Sequence, residues 1–152
     1  MTAAGYNSNL QIVQGPGYVA VLQEMIHDTR IIPTDNRPHI YPALRELMGD
    51  SRGHWEGDTL VVETTNFTDR TNFRGSSQNL KVVERFTRAA DDAITYQFTV
   101  SDPSTWDKPW SAEIPMTKAN GLIYEYACQE GNYGMRNNLS GQRAAEKDAA
   151  AK

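Results

Sequence analysis

"NLKVVERFTRAADDAITYQFTV", Asn79–Val100, decides the fold class. On both sides of "AADD" (89–92) the β-branched and aromatic residues recur with a period of two, the repeat of a strand and not of a helix. A short polar connection between two such runs reads as a β-hairpin.

The same grammar extends in both directions. "NLQIVQ" (9–14), "GYVAVLQEMI" (17–26), "GHWE" (53–56), "TLVVETTNF" (59–67), "PWSAEIPM" (109–116) and "LIYEYACQ" (122–129) bring the candidate strands to eight. Short connections carry turn chemistry at "QGPG" (14–17), "EGD" (56–58), "AADD" (89–92) and "KANG" (118–121), where Asn120-Gly121 tolerates positive φ. Helix is scarce. "YPALRELMG" (41–49) has the length of two turns with Gly49 as its stop, and "SGQRAAEKDAAAK" (140–152) is an alanine-rich tail, helical or frayed. Residues 1–139 therefore form one domain and 140–152 a polar appendage.

If each strand runs antiparallel to the next, alternate connections lie at opposite ends. The four tight turns then share one end. The connections at 27–50, 68–78 and 102–108 and the exit at 129–138 share the other, where binding and chemistry are usually carried. Eight meandering strands can close into an up-and-down barrel, which removes exposed edges; a two-sheet β-sandwich is the alternative. Val19, Val21 and Met25 alternate with Ala20, Leu22 and Ile26, so the second strand expects cover on both faces, from the 41–49 helix or from a second subunit in a homo-oligomer.

Bulk properties exclude several partners. With a net charge of −4 and scattered Lys and Arg, no basic stripe is available for nucleic acid. No stretch reaches the ~20 apolar residues that span a bilayer, and the opening lacks the pattern of a signal peptide, so a soluble chain without membrane insertion is expected. Cys128 stands alone; its strand position reads as a small buried hydrophobe.

"GHWEGDTLVVET" resembles the Gly-x-Trp strands of lipocalin-like barrels, which implies a barrel. A broader likeness is carried by "YNSNLQIVQGPGYVAVLQEMIHDTRIIP", "GDSRGHWEGDTLVVETTNF", "VVERFTR" and "YEYACQEGNYGM". From about Tyr6 to the tail the chain resembles a group of uncharacterised β-rich bacterial proteins, many from soil bacteria, that usually carry an export signal and extra residues ahead of this region. The resemblance implies a trimmed start at "MTAAG" and a periplasmic or secreted protein. It implies no activity.

The candidate site residues crowd "HDTRIIPTDNRPH" (27–39) and the other long connections. Continuing the second strand's alternation places Glu24, Asp28 and Arg30 on one face with Leu22 and Ile26, and His27 on the other with Met25. With the first face inward, Arg30 is held between carboxylates and grips an anionic or hydroxylated ligand; a structural ion pair is the competing reading. His27 beside Asp28, with Glu24, is the candidate proton-transfer set. Arg37 would hold substrate charge, Trp106 and Tyr133 would stack, and His39, Asn66, Arg74 and Glu130 would complete the binding set for a phenolic or sugar-like molecule. His27, His39 and His54 lack the separations that aim two imidazoles at one ion, so no metal is assigned. Glu56 and Asp58 flank Gly57 in a turn, and turn duty accounts for them.

The expectation is a binder of a small organic molecule that performs cofactor-free acid–base chemistry, as a hydrolase, lyase or isomerase. It rests on titratable groups gathered at one rim without any nucleotide-binding or phosphate-cradling glycine motif. A non-catalytic lipocalin-type carrier and a structural subunit of a larger assembly are the alternatives.

Overall fold

In the computed structural model, residues 9–125, 131 and 133–150 are described. They form two antiparallel β-sheets and one helix. Strands β1 (Leu10–Gly15), β2 (Tyr18–Gln23) and β3 (Thr29–Pro33) make a three-stranded meander. Strands β4 (Asp50–Glu56), β5 (Thr59–Thr65), β6 (Lys81–Ala90), β7 (Ala93–Ser101) and β8 (Trp110–Thr117) make a five-stranded one. Helix α1 spans Gly134–Ala150 and buries none of its side chains. No helix among the described residues is long and apolar enough to cross a membrane.

The all-β class is the one read from the sequence, and the sandwich alternative fits. The barrel does not: no ladder joins β3 to β4 among the described residues, and the two sheets stay separate. The reason lies in where β3 points. Arg30 and Ile32 project from its inner face onto the larger sheet, Arg30 reaching Glu84 on β6 and Ile32 lying against Gly53 on β4. A strand that lays its side chains on another sheet lies above that sheet, not beside it. Val19, Val21 and Ile32 thus meet Leu60, Val62, Val82, Phe86, Tyr96, Phe98 and Val100 in one apolar core.

Other expectations change as well. β3 itself falls inside 27–50, which reads from the sequence as one long connection. Residues 122–125 of "LIYEYACQ" are not a strand, and 126–129, with Cys128, lie outside the described residues. Segment 41–49 is not a helix: Pro42 and a run of turns replace it, and its backbone bridges to Phe67 through Glu46. It packs at the sheet end, and on the outer face of the three-stranded sheet Val13, Tyr18 and Ile31 are exposed while Ala20 and Leu22 are half-buried. The tail helix begins earlier than residue 140, at Gly134.

Two glycines are required by close approach. At Gly49, φ is +66° and a Cβ would stand 2.6 Å from the Thr65 carbonyl oxygen, so only glycine lets the chain enter β4 there. At Gly53 a Cβ would lie 2.8 Å from Ile32 Cγ2 at the sheet-to-sheet contact. Gly53→Ala is therefore expected to cost about 1–3 kcal/mol through overpacking. Gly121→Ala, with open space around it, should stay within about 0.5 kcal/mol, both variants being compared with the wild type by urea titration.

Candidate functional site

On β6 the side chains of Val82, Glu84 and Phe86 share the inward phase, so the pattern that buries two hydrophobes also buries a carboxylate. Glu84 is 1% exposed. An ionised carboxylate this deep needs a cation and hydrogen bonds. Arg30 supplies a two-point contact, Nη1 to Oε2 at 2.5 Å and Nη2 to Oε1 at 3.1 Å. Tyr96, inward on the neighbouring strand, donates its hydroxyl to Oε1 at 2.8 Å. Burial alone would push the Glu84 carboxyl up; the Arg30 charge, foremost, and the hydrogen bonds from Arg30 and Tyr96 act against it, and the group lies below the usual carboxylate range. Burial, and then the Glu84 charge, push the Tyr96 phenol well above its usual value.

Two cavities flank this trio. The larger, of about 250 Å³, is lined by Arg30, Leu47, Met48, Thr64, Phe67, Thr71 and Val82. The smaller, of about 30 Å³, lies on the other side of Arg30 against Asp28, Glu84, Phe86, Tyr96 and Met116, among others. Arg30 and Met48 border both. The lining of the larger cavity is apolar apart from the guanidinium and two threonine hydroxyls. Each hydroxyl is engaged: Thr64 with Ser51 at 2.8 Å, and Thr71 donating to the Leu47 carbonyl at 2.7 Å.

The walls of the larger cavity are fixed by side chains that bond backbone. Asn66, at φ +56°, donates to the carbonyls of Ile40, Tyr41 and Leu44, and Arg45 donates to those of Phe67 and Gln78. Segment 40–49 is thereby tied to the 66–80 connection. Asp102, 2% exposed, accepts from the Ser77 and Ser104 backbone N–H groups and from the Ser77 and Thr105 hydroxyls, which ties 102–106 to 75–79. Burial works to raise this carboxyl, yet those hydrogen bonds keep it below the usual range. Three of the long connections thus do share one end of the sandwich.

The residues expected to form the site are dispersed. Arg30 enters the cavity wall, but it faces Glu84 in place of Glu24 and Asp28. Gln23 and Asp28 bracket a tight turn in which Ile26 and His27 take positive φ, so the alternation of β2 does not carry through to β3. Glu24 is buried, accepting from Asn9 and from the Tyr124 N–H. His27 is exposed on that turn, 3.6 Å from Glu125. Asp28 borders only the smaller cavity.

Arg37 is exposed and its hydrogen bonds lower Asp35 to about 2. His39 holds Asp50 through Nδ1 at 2.6 Å, and Asp50 also accepts from Arg52 and from the Ile40 N–H. That cluster anchors the connection where it joins β4. Arg74 is exposed at φ +51°. Trp106 packs edge-on against Trp110, which stacks on Phe73. Tyr133 is exposed beside α1, and Glu130 lies outside the described residues. No three metal-ligating side chains converge among the described residues.

Glu84 and Tyr96 are absent from the reading of the sequence, although one signal marks them. A charged residue between Val82 and Phe86 in the inward phase announces a buried carboxylate in need of partners.

Breaking the pair from one side is expected to be far worse than removing it. Arg30→Met leaves Glu84 buried and unpaired, at a cost of about 3–5 kcal/mol, and adding Glu84→Met should recover much of that. Because the folded pKa of Glu84 is depressed, its contribution is complete above the unfolded value of about 4.3 and fades as pH falls through the folded one. Urea titrations from pH 7 down to pH 3 should show a smaller loss in the double variant than in the wild type, the remainder coming from groups such as Asp102 that are also held below their usual range.

No protein-family model, no curated protein and no solved structure matches the chain.

Proposed function

We propose that this protein binds a small, largely apolar organic molecule in the pocket between its sheets, beside Arg30. The observation that carries the reading is the cavity of about 250 Å³ walled by Leu47, Met48, Phe67 and Val82 with one guanidinium at its edge. A concave, largely apolar site with a few placed polar groups is the usual form of a ligand pocket. Its volume lies just below the ~300 Å³ at which drug-sized sites begin, which suits a one-ring molecule.

The charge states beside the pocket favour binding without turnover. Glu84 stays ionised and Tyr96 stays protonated across the neutral range, so neither exchanges a proton readily near pH 7. Acid–base chemistry is the second reading. It is supported by Asp28, a carboxylate at the smaller cavity on the far side of Arg30. The two readings part on the fate of the ligand, recovered unchanged from a binding protein and converted by an enzyme, with conversion lost in Asp28→Asn.

Met48→Trp places a bulky side chain at the border of both cavities and should weaken binding of one-ring neutral fragments at least tenfold while the far-ultraviolet circular dichroism is kept. Amide shifts on fragment addition are expected at Thr64, Phe67 and Val82 in the wild type. Shifts confined to the outer sheet faces would sink the assignment.

A further inference from the structure

Arg30 presents five N–H groups, and the two-point contact with Glu84 engages one on each terminal nitrogen. Its charge is already balanced at that contact. The other polar groups on the pocket wall are the Thr64 and Thr71 hydroxyls, and both are engaged within the protein. Thr64 is 1% exposed and Thr71 has its proton on the Leu47 carbonyl, so the donor capacity offered to a guest is that of a guanidinium whose positive charge is spent on Glu84. We propose, building on the binding reading above, that the pocket selects uncharged molecules bearing a carbonyl or hydroxyl oxygen on a compact apolar body, and discriminates against carboxylates.

The discrimination follows from what an anion would meet. A second carboxylate against Arg30 would share one guanidinium with Glu84, which is 1% exposed and fixed in place by Tyr96. Two like charges would then share one guanidinium beside Leu47, Met48, Phe67 and Val82, closer together than the ~8 Å over which salt screens them. A neutral oxygen accepts the same N–H groups without that repulsion, and it leaves the Glu84 contact whole. A purely apolar molecule fills the space but leaves the guanidinium edge stripped of water and unpaired, which costs affinity.

Four probes of one ring and nearly equal size separate these effects on the wild-type chain: acetophenone, benzyl alcohol, benzoate and toluene. Affinities are read from amide-shift titrations at pH 7. Acetophenone and benzyl alcohol are expected to bind at least tenfold more tightly than benzoate and several-fold more tightly than toluene, with the largest shifts around Thr64, Val82 and Arg30. Benzoate binding as well as acetophenone would overturn the proposed class while leaving the pocket reading intact. Toluene matching acetophenone would overturn the role given to Arg30. No binding by any of the four would overturn the proposal and the pocket reading together. In Glu84→Gln the guanidinium charge is no longer balanced, and the order of benzoate and acetophenone should reverse; an unchanged order in that variant, if folded, would count against the proposal, and the wild-type series decides the matter where it does not fold.

Discussion

The contact between Arg30 and Glu84 is the constraint from which the interior is organised. A carboxylate placed in the apolar phase of a central strand cannot be left alone, since desolvation without a partner costs more than the domain can spare. Glu84 thereby specifies which side chain of the three-stranded sheet stands above it. With Arg30 fixed over β6, Ile32 falls on Gly53 of β4, where the missing side chain makes room for the close approach. A polar requirement in one layer and a small residue in the other together set how the layers cross. Tyr96 completes the set from β7, within an aromatic stack that runs through Phe86 and Phe98.

A pocket next to this contact persists because its surroundings are held from outside. Met48 and Leu47 form a wall on a segment without regular structure, which by itself would collapse into the space. Asn66 and Arg45 prevent that by taking up five carbonyls across segment 40–49 and the connection after β5. At the start of the same segment, Asp50 ties His39 and Ile40 to β4, and Arg52 reaches the Pro38 carbonyl. These are side chains that satisfy irregular backbone in the way a ladder satisfies a strand. They make a loop wall as well defined as a sheet wall.

The sequence is legible where periodicity and turn chemistry agree. Seven of the strands overlap the stretches whose alternation announces them, β4 beginning three residues before "GHWE", and the hairpin between β6 and β7 closes at Asp91–Asp92 as "AADD" suggests. β3 is illegible for a physical reason. It is only "TRIIP", its stability comes from pairing with β2, and its neighbours His27, Asp28, Thr34 and Asp35 have loop composition. Two consequences follow from this hidden strand: the turn before it inverts the parity of β2, and the chain crosses to a second layer where the strand pattern implies a barrel. Helix 41–49 fails because a helical pattern over nine residues is weak against the bonds that form when the segment is a run of turns, from Asn66 to its carbonyls and from Arg45 to those of Phe67 and Gln78. At the site, Arg30 could be singled out from local sequence, but its partner could not, because Glu84 lies 54 positions away and only the fold brings it near.

The same structural need gives the pocket its chemical character. A sandwich core that must neutralise Glu84 spends its one inward guanidinium on that task, so the cavity beside it inherits N–H donors without net charge. Had the inward position of β6 been apolar, Arg30 would stand unpaired, or would turn to solvent, and a cavity in the same place would either attract anions or lack polar handles altogether. In the proposed binding role, selectivity would thus be set by a residue that need not touch the guest. The sheet register, through Glu84, decides what Arg30 has left to offer.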